Sequence, residues 1–191
     1  MYNIIALIGE AGSGKDFMMK KVLEREPNFH EIVSCTTRPK REGEIDGVNY
    51  HYYSPTEFSD KVLSKEMIEY TKFNNWMYGT GYDSLDEDRI NIGVFNPEGI
   101  RSLLAHPKCN VIVFYVRAAD KTRLLRQLNR EENPNVKEII RRYSADEIDF
   151  GKINFSHHSI KNNSFDDLSV GLDYILKQSK TFFSKGQDLL N

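Results

Sequence analysis

Lys15 closes the stretch GEAGSGK, Gly9 to Lys15, and a lysine at the end of a glycine-rich turn is suited to holding phosphate. The spacing G-x-x-x-x-G-K follows the apolar run Asn3 to Ile8 and opens a helical pattern that Pro27 closes after about Glu26. That strand, turn and helix are the context the motif requires. Glycines let successive backbone N–H groups turn inward, the helix adds its positive end, and the ammonium adds a point charge. Gly9, Ala11, Gly12, Ser13, Gly14, Lys15 and Asp16 are therefore the expected phosphate contacts. A hydroxyl residue normally follows such a lysine and holds magnesium; here Asp16 and Phe17 follow it, with Phe17 expected to pack under the loop.

A second constellation lies in SCTTRPKREGEIDGVNYHY and EMIEYTKFNNWMYGT. Arg38 and Arg41 stand three apart beside a tyrosine-rich stretch, and planar guanidiniums can grip phosphate oxygens bidentately. Tyr50 and Tyr78 can each donate a phenolic hydrogen bond to the same dianion. Taken alone, the run could equally be the solvated face of a hairpin. Ser34, Thr36, Thr37, Arg38, Arg41, Glu44, Asp46, Gly47 and Tyr50, followed by Glu69, Tyr78, Gly79 and Thr80, keep a longer spacing. That spacing resembles the guanylate kinase family, and a weaker likeness continues through the basic helices.

The resemblance implies a P-loop kinase that passes a phosphoryl group from ATP to GMP or dGMP, with Mg2+ on the triphosphate. ATP would lie on Gly9 and on Ala11 to Asp16. GMP would lie on Ser34, Arg38, Arg41, Tyr50, Glu69, Tyr78 and Thr80. Glu69 would read the base, because guanine N1–H and its N2 amino group present two donors that match one ionised carboxylate. Ser34 would meet guanine O6, and Thr80 the N2 amino group. Lys15, Arg38, Arg130 and Arg142 would serve catalysis, the last two as lid arginines, with Arg126 a weaker match. The family pattern D-x-D-x-Q-G is replaced here by VFNPEG, so that Val94 and Asn96 stand where acids are expected. Asp16 is then the candidate metal ligand, one carboxylate gained where another is lost.

Positioning these groups needs a frame. Nearly uniform apolar strands at Asn3–Ile8, Phe29–Ser34, Ile90–Phe95 and Val111–Val116 predict a parallel sheet, with a last short strand near Ser159–Lys161. Helical patterns over Pro97–Ala105, Ala119–Arg130, Val136–Ile148 and from about Phe165 would cover both faces. The expected division is an α/β core of 1–35, 84–125 and 143–191, a small mixed or antiparallel monophosphate-binding lobe of 36–83, and a helical lid of 126–142. Ser54, Pro55 and Glu57 signal a capped helix within the lobe. Arg123 is expected to pair with Gln127 on a helix surface, and Trp76 and Met77 to pack in the lobe. His157 and His158 read as structural or exposed.

The chain has 191 residues and a formal net charge of -2, so the overall balance argues for neither a nucleic-acid nor a membrane partner. Cys35 and Cys109 fit no metal spacing or disulfide framework, and no signal peptide or membrane span is visible. A cytoplasmic monomer or homodimer acting on small nucleotides is expected. Two other readings stay open: a P-loop kinase of another deoxynucleotide or of ribose bisphosphate, and a non-catalytic guanylate kinase-like module that binds proteins.

Overall fold

The structure is a computed structural model describing residues 1–41, 43–73, 75–130 and 132–187. Two sheets organise it. The larger is wholly parallel and joins β1 (Tyr2–Ile8), β2 (His30–Glu31), β7 (Asn91–Val94), β8 (Cys109–Arg117) and β9 (His158–Lys161) in the order β2-β7-β1-β8-β9. The central strand β1 pairs with β7 on one side and β8 on the other.

Strand alternation distributes β1 between two cores. Ile5 and Leu7 pack with Met18 and Val22 of α1 (Lys15–Arg25) and with Leu172 and Ile175 of α6 (Phe165–Gln187). Ile4, Ala6 and Ile8 face the other way, toward Ile100 and Leu103 of α3 (Pro97–Ala105). A strand buried on both faces reads as an unbroken apolar run, which explains NIIALI. Phe17 departs from expectation: it is 48% exposed, with the Lys21 ammonium 5.5 Å from its ring centre. Its neighbours Met18 and Met19 take the buried face of α1 instead.

The smaller sheet is mixed, with order β4 (His51–Tyr52), β3 (Cys35–Thr36), β6 (Trp76–Gly81), β5 (Met67–Phe73). Here β3 runs parallel to β4 and antiparallel to β6, which pairs with β5. The expected strand Phe29–Ser34 is only two residues long, because the chain leaves the large sheet at Glu31 to reach the small one at Cys35. Between β4 and β5, α2 (Pro55–Leu63) starts on the predicted capping box: the Glu57 N–H donates to the Ser54 hydroxyl, and the Glu57 carboxylate accepts from the Ser54 N–H. Trp76 and Met77 are half-buried at the start of β6. His158 stacks on Phe114 and bonds to the Tyr174 hydroxyl, a structural placement.

Two further helices, α4 (Asp120–Leu128) and α5 (Val136–Phe150), follow β8. Among the described residues no helix is long and apolar enough to cross a membrane. Adjacent leucines on α3 test the packing directly, since Leu103 is fully buried whereas Leu104 is 43% exposed. Leu103→Ala should lower stability in urea unfolding by about 2–5 kcal/mol, and Leu104→Ala by no more than about 1 kcal/mol.

Candidate functional site

The turn between β1 and α1 is built so that its carbonyls face the protein. Ala11 C=O accepts from Arg123 Nε at 3.1 Å, and Ser13 C=O accepts from Asn162 Nδ2 at 2.8 Å and Arg126 Nη1 at 3.1 Å. In a planar trans peptide the N–H of the next residue points the opposite way. The N–H groups of Gly12 and Gly14 are therefore turned toward the open side of the loop. Both residues have left-handed φ, 79° and 88°, which glycine adopts without strain. A Cβ at Gly12 would also lie 2.5 Å from the Arg123 carbonyl oxygen.

Among the described residues helix α1, like α4, begins with no side-chain cap, whereas Ser54, Asn96 and Asn135 cap α2, α3 and α5. Its first N–H groups are left for a ligand, and an anion suits them. Lys15 Nζ lies 3.5 Å from Asp16 Oδ2. The ammonium is the main cause holding the exposed Asp16 carboxyl below its ordinary pKa, with Arg130 contributing.

Across from the loop, the small sheet carries a buried carboxylate. Glu69 on β5 is 6% exposed and accepts a hydrogen bond from the Thr80 hydroxyl at 2.8 Å. The Thr80 hydroxyl in turn lies 3.4 Å from that of Ser34. Burial raises the Glu69 pKa to about 7, against the lowering effect of Thr80. Its Oε2 faces Gly99, where an added Cβ would come within 3.0 Å. The N-terminus of α3 thus packs against the carboxylate, and a side chain at Gly99 would press on it.

Next to this pocket Arg38, 5% exposed, is held by Glu44 at 2.8 Å. Glu44 also accepts from the Tyr52 hydroxyl at 2.7 Å and from the Arg41 N–H at 2.8 Å. Burial pushes the Glu44 carboxyl up, but these donors outweigh it and hold the pKa at about 2. The Arg38 guanidinium stands 5.5 Å from the centre of the Tyr50 ring, which meets Tyr78 edge-on at 6.1 Å. Two arginines and two phenols so gather around one volume.

The basic helices turn toward the same volume. The chain around Arg41 lowers its pKa first, and then repulsion from Arg142 and Arg38. Arg130 acts on Asp16, and Asp16 acts in turn on the half-buried Tyr50 phenol. Loop, small sheet and basic helices therefore lie within electrostatic reach of one another. Glu138 organises α5 by accepting two bonds from Arg141 and one from Arg142 at 3.0 Å.

Oxygen donors for a cation are few. Asn96 Oδ1 caps α3 through the Gly99 N–H at 2.8 Å, and the nearby Glu98 is tied to Arg101 at 2.7 Å. Among the described residues no group of three or more His, Cys, Asp or Glu side chains could hold a metal. Asp16 is the exposed carboxylate beside the loop lysine. One carboxylate fits magnesium, which keeps several waters and takes its remaining ligands from phosphates.

Residues 1–179 match the family model described as guanylate kinase. The chain belongs to the guanylate kinase family. It is 42% identical over 77 residues to a guanylate kinase of Chlorobium luteolum, covering 40% of this chain and 39% of that one. It is 32% identical over 118 residues to one of Helicobacter pylori, covering 59% and 57%. The chain thus spans roughly half the length of these curated relatives, between the 39% and 57% just given. A guanylate kinase structure from Anaplasma phagocytophilum shares the fold at a TM-score of 0.67 and 18% identity, over 93% of this chain and 85% of that one. An uncharacterised protein from Eubacterium ventriosum is more distant, at a TM-score of 0.53 and 17% identity over 93% and 98%.

Within this guanylate kinase-family fold, sequence reasoning misplaced Arg123. It is 6% exposed rather than on a helix surface, and its Nη2 donates at 2.9 Å to the buried Asp146, which also accepts from the Ala11 N–H. Asp146 was missed altogether. No local signal pointed to it: the buried face of α4 carries Arg123 and Gln127, while the apolar Leu124 and Leu125 are exposed, and nothing nearby names the partner on α5.

Glu69 supplies a stability test. Its folded pKa of about 7 lies above the ordinary 4.5, so its contribution is fully present below pH 4.5 and is lost as pH rises through 7. The gap corresponds to about 3 kcal/mol at most. Glu69→Gln, which keeps an acceptor for Thr80, should raise the melting temperature at pH 8 and leave it nearly unchanged at pH 5. An equal rise at both pH values would show that Glu69 is ionised throughout, and no rise at either that it stays protonated.

Proposed function

We propose that this protein catalyses transfer of the γ-phosphoryl group of ATP to GMP or dGMP, giving ADP and the diphosphate. The observation that carries the reading is Glu69, a buried carboxylate with a hydroxyl for its partner, set beside Arg38, Arg41, Tyr50 and Tyr78. Ionised Glu69 accepts from guanine N1–H and N2–H, with Ser34 toward O6 and Thr80 toward the amino group. An adenine would leave a lone pair against the carboxylate, a mismatch that discriminates strongly. Because Glu69 reads the base, both ribose and deoxyribose forms fit.

Arg38, Arg41 and the two phenols hold the acceptor phosphate, while Gly9, the loop from Ala11 to Asp16 and the Lys15 ammonium hold the donor. An acceptor phosphate oxygen attacks the γ-phosphorus, and the bond to the β–γ bridging oxygen breaks as ADP leaves. Arg130 and Arg142 place positive charge around the moving group, and closure of 126–142 excludes water. Asp16 would hold Mg2+, directly or through a water, and the ion when bound neutralises charge between the donor phosphates. A cytoplasmic monomer or homodimer belongs to the same reading, with 36–83 as the monophosphate lobe.

A sugar phosphate acceptor has no base edge to engage Glu69 and Thr80, and a protein-binding module has no need of the loop that Arg123, Arg126 and Asn162 maintain. ADP release measured over a panel of nucleoside monophosphates should appear with GMP and dGMP, require magnesium, and be absent with AMP. Turnover with a sugar phosphate alone, or binding without turnover, would reject the reading. Asp16→Ala should raise the magnesium concentration for half-maximal turnover by about tenfold, the loss of one charged ligand. Parental turnover at limiting magnesium would remove Asp16 from the metal site.

A further inference from the structure

Ala11 is gripped at both polar atoms of its backbone by two charged side chains from different helices. Its N–H donates to Asp146 Oδ2 at 2.7 Å, and its C=O accepts from Arg123 Nε at 3.1 Å, with Gln127 Nε2 at 3.4 Å. The two side chains meet each other, Arg123 Nη2 donating to the same Oδ2 at 2.9 Å. Asp146 is 7% exposed, and Arg123 lies 4.5 Å from the centre of the Tyr143 ring. The Tyr143 hydroxyl donates to Asp120 C=O at the start of α4, closing the network between α4 and α5.

A buried ion pair is a poor source of stability, because desolvation offsets most of its attraction. Its geometry here has a more specific consequence. Fixing the Ala11 carbonyl fixes the plane of the Ala11–Gly12 peptide, and therefore the direction of the Gly12 N–H. On α5, Arg142 precedes Asp146 by one helical turn and shares its face. Anchoring Asp146 to the loop thus also sets where Arg142 stands, within electrostatic reach of Arg41.

We propose that Arg123 and Asp146 are positioning residues for the phosphoryl donor: they aim the Gly12 N–H at the ATP phosphates and fix the root of the arginine-bearing helix to the loop. The proposal rests on the reading of Gly9 to Asp16 as the ATP site. Neither side chain needs to touch the nucleotide. Preorganised N–H donors are effective because they need no reorientation when charge develops.

The test compares the parent with Asp146→Ala, Asp146→Asn and the double variant Arg123→Leu/Asp146→Ala. Magnesium–ATP and GMP affinities are measured by calorimetry, and thermal unfolding is followed in parallel. Asp146→Ala strands a buried guanidinium and should lose stability; the double variant removes that charge and should regain most of it. ATP should nevertheless bind the double variant about tenfold more weakly than the parent, with GMP affinity within about twofold. Asp146→Asn keeps an oxygen for the Ala11 N–H and should fall between. Parental ATP affinity in a folded double variant, or in folded Asp146→Asn, would overturn the inference alone. Failure of the parent itself to bind ATP would remove the donor-site reading with it.

Discussion

Four side chains that ordinarily carry full charge are buried among the described residues: Arg38, Glu69, Arg123 and Asp146. Charge withdrawn from water is costly unless it is paired, and three of the four are paired with carboxylate or guanidinium groups. Glu69 differs, accepting a hydrogen bond from the Thr80 hydroxyl, with a pKa raised to about 7 by burial. The small sheet and the N-terminus of α3 join in holding this group away from water. A fold under selection for stability alone has no use for such a residue, whereas a ligand with two adjacent donors relieves its cost.

The paired charges act on the backbone. Arg38 and Glu44 hold together the segment between β3 and β4 of the small sheet, while Glu44 also gathers Tyr52 and the Arg41 N–H. Arg123 and Asp146 hold the phosphate loop from the other side. Carbonyls of Ala11 and Ser13 that face the protein, and N–H groups of Gly12 and Gly14 that face the open side, are two consequences of the same planar peptides. The uncapped start of α1 follows the same logic, since a side-chain cap would occupy the donors that a phosphate needs.

Much of this was legible in the residues. The loop motif, the capped start at Ser54 and the helix Pro97–Ala105 depend on local chemistry, and the structure shows them where the sequence placed them. Apolar runs announced the parallel strands because both faces of that sheet are covered. What escaped depends on distant contacts. Phe17 looked like packing material, yet the helix buries Met18 and Met19 and leaves the ring outside. Arg123 looked like a surface arginine because its partner lies 23 residues away on another helix. Asn96 looked only like a lost acid; its use as the cap of α3 depends on backbone geometry.

Family membership and the shared fold make a nucleotide site expected, and Glu69 is where the chemistry of the acceptor is most exposed to test. The carboxyl carbon of Glu69 can be followed by 13C NMR over a pH titration, free and with GMP. The account predicts a free pKa near the value of about 7 that burial sets. With GMP bound it should fall below about 5, since two donors favour the charged form. An unchanged pKa in saturating GMP would contradict the claim that this buried carboxylate reads the base.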